Sequence, residues 1–189
     1  ALKLVQKDLS EIKIVLIGVG AAGNAIARLL VLSGAKNIIG FNHSGVITRD
    51  MKSQDPMQQW FIDTSNPDNF KGDIAGAMKG ADVFIGVSAP NVITEADAAS
   101  MAAGSIIFAL ANPDPEIDPV IARKYAAVVA TGRSDQPNQI NNVLAFPGIF
   151  RGLLDANAHK ITDKLLVAAA EAIADCVSPD QLNASFIVP

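Results

Sequence analysis

Three glycines, Gly18, Gly20 and Gly23, are the residues of this chain whose type and spacing point most directly to chemistry. They stand in the run Ile14-Val15-Leu16-Ile17-Gly18-Val19-Gly20-Ala21-Ala22-Gly23-Asn24. The first glycine of such a spacing lets the chain turn sharply off a strand. The second has no Cβ, so a phosphate can approach the backbone, and the third lets the next helix lie close to the strand. Free N–H groups at the start of that helix, at the positive end of its dipole, then hold the anion. The implied chemistry is the binding of a diphosphate by Gly18, Gly20, Ala21, Ala22 and Gly23. Glycine pairs also occur in ordinary turns, so the flanks decide. Four aliphatics lead in, and Ala22, Ala25, Ile26, Leu29 and Leu30 follow at helical spacing. Strand, turn and helix are the context a dinucleotide site requires.

Such a site needs a parallel sheet to carry it, and the rest of the chain reads as one. A helix end over residues 1–9 leads to a strand at about Lys13–Gly18 and a helix at about Ala21–Ser33, stopped by Gly34. A second strand covers about Asn37–Phe41. The polar stretch Asn42–Asn69 holds a short helix around Met57–Ile62. A helix over Lys71–Lys79 precedes a strand over Asp82–Val87. A helix over Thr94–Ala103 opens on a capping box of Thr94 and Asp97. Strand Ser105–Leu110, a short helix Pro119–Lys124 and strand Ala126–Ala130 come next. Val143–Phe146 reads as a last strand, before helices at about Gly148–Ala156 and Thr162–Val177. The alternation predicts an α/β fold: a Rossmann-type, doubly wound, mainly parallel sheet with helices on both faces.

In open parallel sheets ligands bind beyond the carboxyl ends of the strands. Those ends are the glycine turn, Asn42-His43-Ser44, Val87-Ser88-Ala89-Pro90, Ala111-Asn112-Pro113 and Thr131-Gly132-Arg133-Ser134-Asp135. Asn42 takes the place where an NAD site usually has Asp or Glu for the ribose hydroxyls. NAD against NADP stays open there, with a lean to NAD because no Arg or Lys follows directly. His43 reads as a loop residue beside the adenosine. Asn112 reads equally as a turn opener before Pro113 or as an amide reaching the nicotinamide ribose or substrate. The run Asn138-Gln139-Ile140-Asn141-Asn142 places several amides ahead of an apolar segment, and buried amides need partners. No Ser-His-Asp order, metal-spaced His/Cys cluster or HExxH motif is present. The motifs give a cofactor site without an acid–base pair.

Bulk properties agree. The chain has 189 residues, is 50% apolar, 18% charged and 5% aromatic, and carries a net charge of −4. That suits one domain with a full core and helices on both faces of a sheet. Without a basic cluster a nucleic-acid partner is not expected, and no apolar run reaches membrane-spanning length. The single cysteine, Cys176, is expected to be packed in a helix, and a reducing, cytoplasmic setting is expected. A start at Ala1 rather than Met reads as a piece of a longer protein.

The chain resembles the C-terminal, NAD(P)-binding half of malic enzymes, of the shorter bacterial type, along nearly its whole length. Carrying segments are Ile17 to Gly23, Gly80 to Pro90, Ile106-Ile107-Phe108-Ala109-Leu110-Ala111-Asn112-Pro113, Ala130 to Asp135, and Pro137 to Gly148. The resemblance implies that the full-length protein converts (S)-malate to pyruvate and CO2 by oxidative decarboxylation. It also implies that NAD or NADP is reduced, that Mg2+ or Mn2+ is required, and that the enzyme is a homodimer or higher homo-oligomer. It assigns Gly18, Gly20, Ala21, Ala22 and Gly23 to the diphosphate, and Asn112, Asn141 and Asn142 to malate or the nicotinamide end. Position at the strand ends adds Asn42, Val87, Ser88 and Ala89 to the cofactor residues, Asn42 standing where the family usually has an acidic residue. The family's catalytic Tyr and Lys and its acidic metal ligands belong to an N-terminal half that this chain lacks. Residues 1–189 are therefore expected to bind cofactor without turning over malate. Alternatives are malolactic decarboxylation by the same parts, the cofactor domain of an amino-acid dehydrogenase, and a free-standing nucleotide-binding module.

Overall fold

The computed structural model describes all residues 1–189. Its elements are α1 (Leu2–Val5), β1 (Lys13–Ile17), α2 (Ala21–Leu32), β2 (Asn37–Asn42), β3 (Gly45–Val46), α3 (Pro56–Thr64) and α4 (Ile74–Met78). They continue with β4 (Val83–Gly86), α5 (Glu95–Ala99), β5 (Ile106–Ala109), α6 (Pro119–Ala122), β6 (Val128–Thr131), a 3-10 turn Asn142–Leu144, α7 (Phe146–Asp155) and α8 (Asp163–Asp175).

The strands form one sheet in the order β3-β2-β1-β4-β5-β6. All neighbours pair in parallel except the two-residue β3, which runs back along β2. Period-two alternation in the strands feeds two cores. Ile14, Leu16, Ile38, Val83, Ile85, Ile106 and Val128 face one side, where Ala27 of α2 and Phe61 and Ile62 of α3 cover them. Val15, Ile17, Ile39, Phe84, Ile107 and Val129 face the other, under Ala77 and Met78 of α4, Ala98 of α5 and Ala122 of α6. The doubly wound, mainly parallel sheet expected from the sequence is the one present.

Several boundaries differ, each for a local reason. The helix expected over Lys71–Lys79 starts only at Ile74, because Asp73 caps it by accepting from the Gly76 N–H. The helix expected over Thr94–Ala103 has the Thr94–Asp97 capping box but ends at Ala99. The hairpin strand β3 has too short a pattern to read.

The segment Val143–Phe146 is not a strand. Asn141 accepts from the Val143 N–H and opens the 3-10 turn. Helix α7 then starts at Phe146 with Pro147 in its first turn, where a missing N–H costs nothing. Val143 and Phe146, 65% and 52% exposed, face outward. Cys176 is exposed rather than packed. It caps the end of α8 in a groove shared with α7, its thiol on the Ala172 carbonyl.

Candidate functional site

The chain leaves β1 toward β2 on one side and continues through β4, β5 and β6 on the other. The crevice at this switch of direction lies between the carboxyl ends of β1 and β4, where doubly wound sheets bind dinucleotides. The two loops there touch. Gly18 has φ +100°, and a Cβ on it would lie 2.4 Å from the Val87 carbonyl oxygen. A Cβ on Gly23 would lie 2.4 Å from the Gly18 carbonyl oxygen, so the helix–strand contact also requires glycine. Gly20 differs: a Cβ there meets nothing within 4 Å. The fold itself does not need glycine at that point, and the open space lies at the amino end of α2. The backbone N–H groups of Ala21, Ala22 and Gly23 have no acceptor within the chain; the first helical bond is Asn24 N–H to the Gly20 carbonyl at 3.0 Å. Three free donors around an empty space are a fit for a diphosphate.

Beside this turn runs a cleft of about 730 Å3. Its lining includes Gly18, Asn42, His43, Asp73, Ser88 and Ala89. Asn42, His43, Ser88 and Ala89 thus gather where the strand ends place them, while Asp73 was not singled out from the sequence. Asn42 Oδ1 is engaged by the Ser44 N–H at 2.8 Å, so its amide presents the NH2 end as free donor. No Lys or Arg lines the cleft, whereas Asp73 and Asp97 do. Arg49 is turned to the Ser65 carbonyl. Past β6, Arg133 is held by Asp135 through two hydrogen bonds of 2.8 Å. The Asp135 pKa lies at about 2, lowered chiefly by the hydrogen bond from Arg133 and further by its charge.

The amides sort into two groups. Asn138 is buried, and its amide is satisfied by backbone: it donates to the carbonyls of Val129 and Ala184 and accepts from the Ile187 N–H. Its burial is therefore explained by docking the C-terminal segment, with no ligand needed. Asn112 is exposed just past β5. Gln139 bridges Thr131 in parallel, and the Ile140 N–H donates to the Thr131 carbonyl at 2.8 Å. That extends the sheet edge and brings Asn141 and Asn142, both exposed, to the same carboxyl end as Asn112. Asn141 also uses its Oδ1 to cap the 3-10 turn.

The residue the sequence reading missed is Glu116. It is 0% exposed. Its carboxylate accepts from the Ser88 N–H at 2.9 Å and the Ala111 N–H at 3.0 Å, linking two of the loops at the site. No three His, Cys, Asp or Glu side chains converge anywhere in the chain. The residues present do not make a metal centre.

With this geometry in hand, the comparisons with known proteins decide the family. The model for "Malic enzyme, NAD binding domain" matches residues 1–189. The chain belongs to the malic enzyme family, as its NAD-binding domain. An NAD-dependent malic enzyme of Geobacillus stearothermophilus is 52% identical over the whole chain, which spans 40% of that protein. A bifunctional malic/malolactic enzyme of Bacillus subtilis is 47% identical, again over the whole chain and 47% of the relative. A malic enzyme structure from Pyrococcus horikoshii superposes on the entire chain with a TM-score of 0.92 at 42% identity, covering 46% of its own length. The chain thus spans less than half the length of these malic enzymes. The match sets aside the amino-acid dehydrogenase alternative. No helix of the chain is long and apolar enough to cross a membrane.

Proposed function

We propose that residues 1–189 form the nicotinamide-cofactor domain of a malic enzyme, which in its full-length form oxidatively decarboxylates (S)-malate to pyruvate and CO2. One observation carries this reading: three unpaired N–H groups, of Ala21, Ala22 and Gly23, surround an open space at Gly20. The site is pre-built for a diphosphate, in a family whose members bind NAD. When bound, the nicotinamide ring supplies the hydride acceptor.

This chain's own residues bind and orient. Gly18 and Gly23 hold the turn, Gly20 to Gly23 take the diphosphate, and Asn42 faces the adenosine ribose. Ser88 and Ala89 line the cleft, and Val87 backs the glycine turn with its carbonyl against Gly18. The amides of Asn112, Asn141 and Asn142 face the nicotinamide end and malate. Amides orient by hydrogen bonding but do not take up or release protons near neutral pH. By the family resemblance, the proton transfers of the reaction and the ligands of a Mg2+ or Mn2+ ion fall to residues of an N-terminal half. NAD is favoured over NADP. A 2′-phosphate would enter a cleft lined by Asp73 and Asp97 without a Lys or Arg to meet it.

The test is calorimetric titration of the full-length protein with NAD+ and NADP+, beside malate-dependent nucleotide reduction. Binding and reduction with NAD+, both lost in Gly20→Val, are expected. Undiminished NAD+ affinity in that variant would remove the diphosphate assignment.

A further inference from the structure

Burying a carboxylate costs free energy unless donors meet it, and a hydrophobic side chain of similar size would fill the space more cheaply. Glu116 is nevertheless wholly buried, among neutral donors. Oε1 accepts from the Ser88 N–H at 2.9 Å and from Ser88 Oγ at 3.3 Å, and Oε2 accepts from the Ala111 N–H at 3.0 Å. The strand below is cut away to admit it: a Cβ on Gly86 would lie 2.3 Å from Glu116 Cδ. The backbone adds two ties. The Asn91 N–H donates to the Pro115 carbonyl at 3.1 Å, and the Ile93 N–H donates to the Glu116 carbonyl at 3.2 Å. The loop after β4 and the loop after β5 are thus clamped together, with Glu116 as the side chain that spans them.

The glycine turn and the residues past β2 serve the diphosphate and adenosine. The other half of a dinucleotide extends across the switch point toward β4 and β5. We propose that Glu116 is a positioning residue for this nicotinamide half. By bridging Ser88 and Ala111 it fixes the spacing of the two loops, and with it the place of the Asn112 amide relative to the glycine turn. The proposal rests on the cofactor reading above.

Glu116→Gln tests it with little change of shape. The single carbonyl oxygen of Gln would stay with the two donors of Ser88, leaving its NH2 against the Ala111 N–H. The Ala111–Asn112 loop is released while the adenosine side is kept. Glu116→Asp, one methylene shorter, cannot reach both loops and should act alike. The full-length parent and variants are titrated with NAD+ and with ADP, which occupies only the adenosine and diphosphate part. NAD+ affinity is expected to fall about tenfold or more, the effect of one misplaced hydrogen-bonded contact, with ADP affinity within about twofold of the parent. Equal losses for both ligands, or unchanged NAD+ affinity, would overturn the proposal while leaving the cofactor reading intact. A parent that binds neither ligand overturns both. Hydrogen exchange on the unmutated protein is an arm that needs no variant to fold: the Ser88 and Ala111 N–H groups should be protected without nucleotide, and rapid exchange at either contradicts the clamp.

Discussion

Gly18, Gly20 and Gly23 share a residue type but not a reason, and substitution separates the reasons. Gly18→Ala meets a carbonyl oxygen at 2.4 Å on a backbone with φ +100°, and Gly23→Ala meets one at 2.4 Å. Backbone cannot yield as a side-chain tip does, so each is expected to cost about 1–3 kcal/mol or more of stability. Gly20→Ala meets nothing and should stay within about 0.5 kcal/mol of the parent, while weakening nucleotide binding. Urea unfolding beside NAD+ titration checks the set. A destabilised Gly20→Ala would show that this glycine is structural. These positions were legible in the sequence because a diphosphate turn has a fixed spacing and a recognisable strand and helix around it. Glu116 was not, since its task depends on a chain reversal that brings it back to the strand ends from seven residues past β5. One signal was available: Gly86 inside an apolar strand marks a place where another group approaches closely. Only the fold says which group that is.

Among the elements, the central strands were readable because their period of two is driven by burial. Helix α2 was read from its glycine start and helical spacing, although its buried residues are Gly23, Asn24 and Ala27, with Ala22 and Ala25 of the expected apolar face exposed. The misreading of Val143–Phe146 shows the limit. An apolar run looks like a strand until Val143, Phe146, Phe150 and Leu154 are seen to recur at helical spacing, and Pro147 marks a first helical turn. These side chains are exposed in this chain, so burial did not discipline the pattern. Short α5 depends on its ends. Thr94 takes the Asp97 N–H, and Asp97 returns the bond to the Thr94 N–H, so Thr94→Ala is expected to cost about 1 kcal/mol in chemical denaturation. On the same helix Glu95 is tied to the segment after α6 by Tyr125 Oη at 2.9 Å and Lys124 Nζ at 3.1 Å. The hydrogen bond from Tyr125, then that from Lys124, holds its carboxyl below the ordinary value of 4.5. A carboxyl lowered on folding adds stability that is complete above the unfolded value and disappears as pH falls through the lower folded value. Glu95→Gln should therefore flatten part of the stability loss below about pH 4.5, an effect that shrinks in high salt because the pair is exposed. An unchanged acid profile would show that the tie contributes nothing.

At the scale of the whole molecule, the two cores leave the carboxyl edge of the sheet as the place where the chain is least self-satisfied. Free N–H groups at α2, the unpaired Asn112 amide and the clamped loops of β4 and β5 all face that edge. Donors without acceptors are tolerated there because water serves them, and a nucleotide can replace that water without first rearranging the backbone. Binding to a pre-built edge adds its full free energy to the folded state. A nucleotide at about 100 times its Kd should stabilise the protein by about 2.7 kcal/mol. For a domain of this size that corresponds to a rise in Tm of roughly 5–10 °C. The rise should appear with NAD+ and be smaller with NADP+ at equal concentration, because Asp73 and Asp97 line the cleft without a cation. It should vanish in Gly20→Val, whose own Tm stays near that of the unliganded parent. A thermal shift of equal size with both nucleotides would mean that the two carboxylates lie too far from the 2′ position to discriminate. The Asn42 NH2, free to donate, would then tolerate either nucleotide, and Asn42→Asp should create a preference for NAD+.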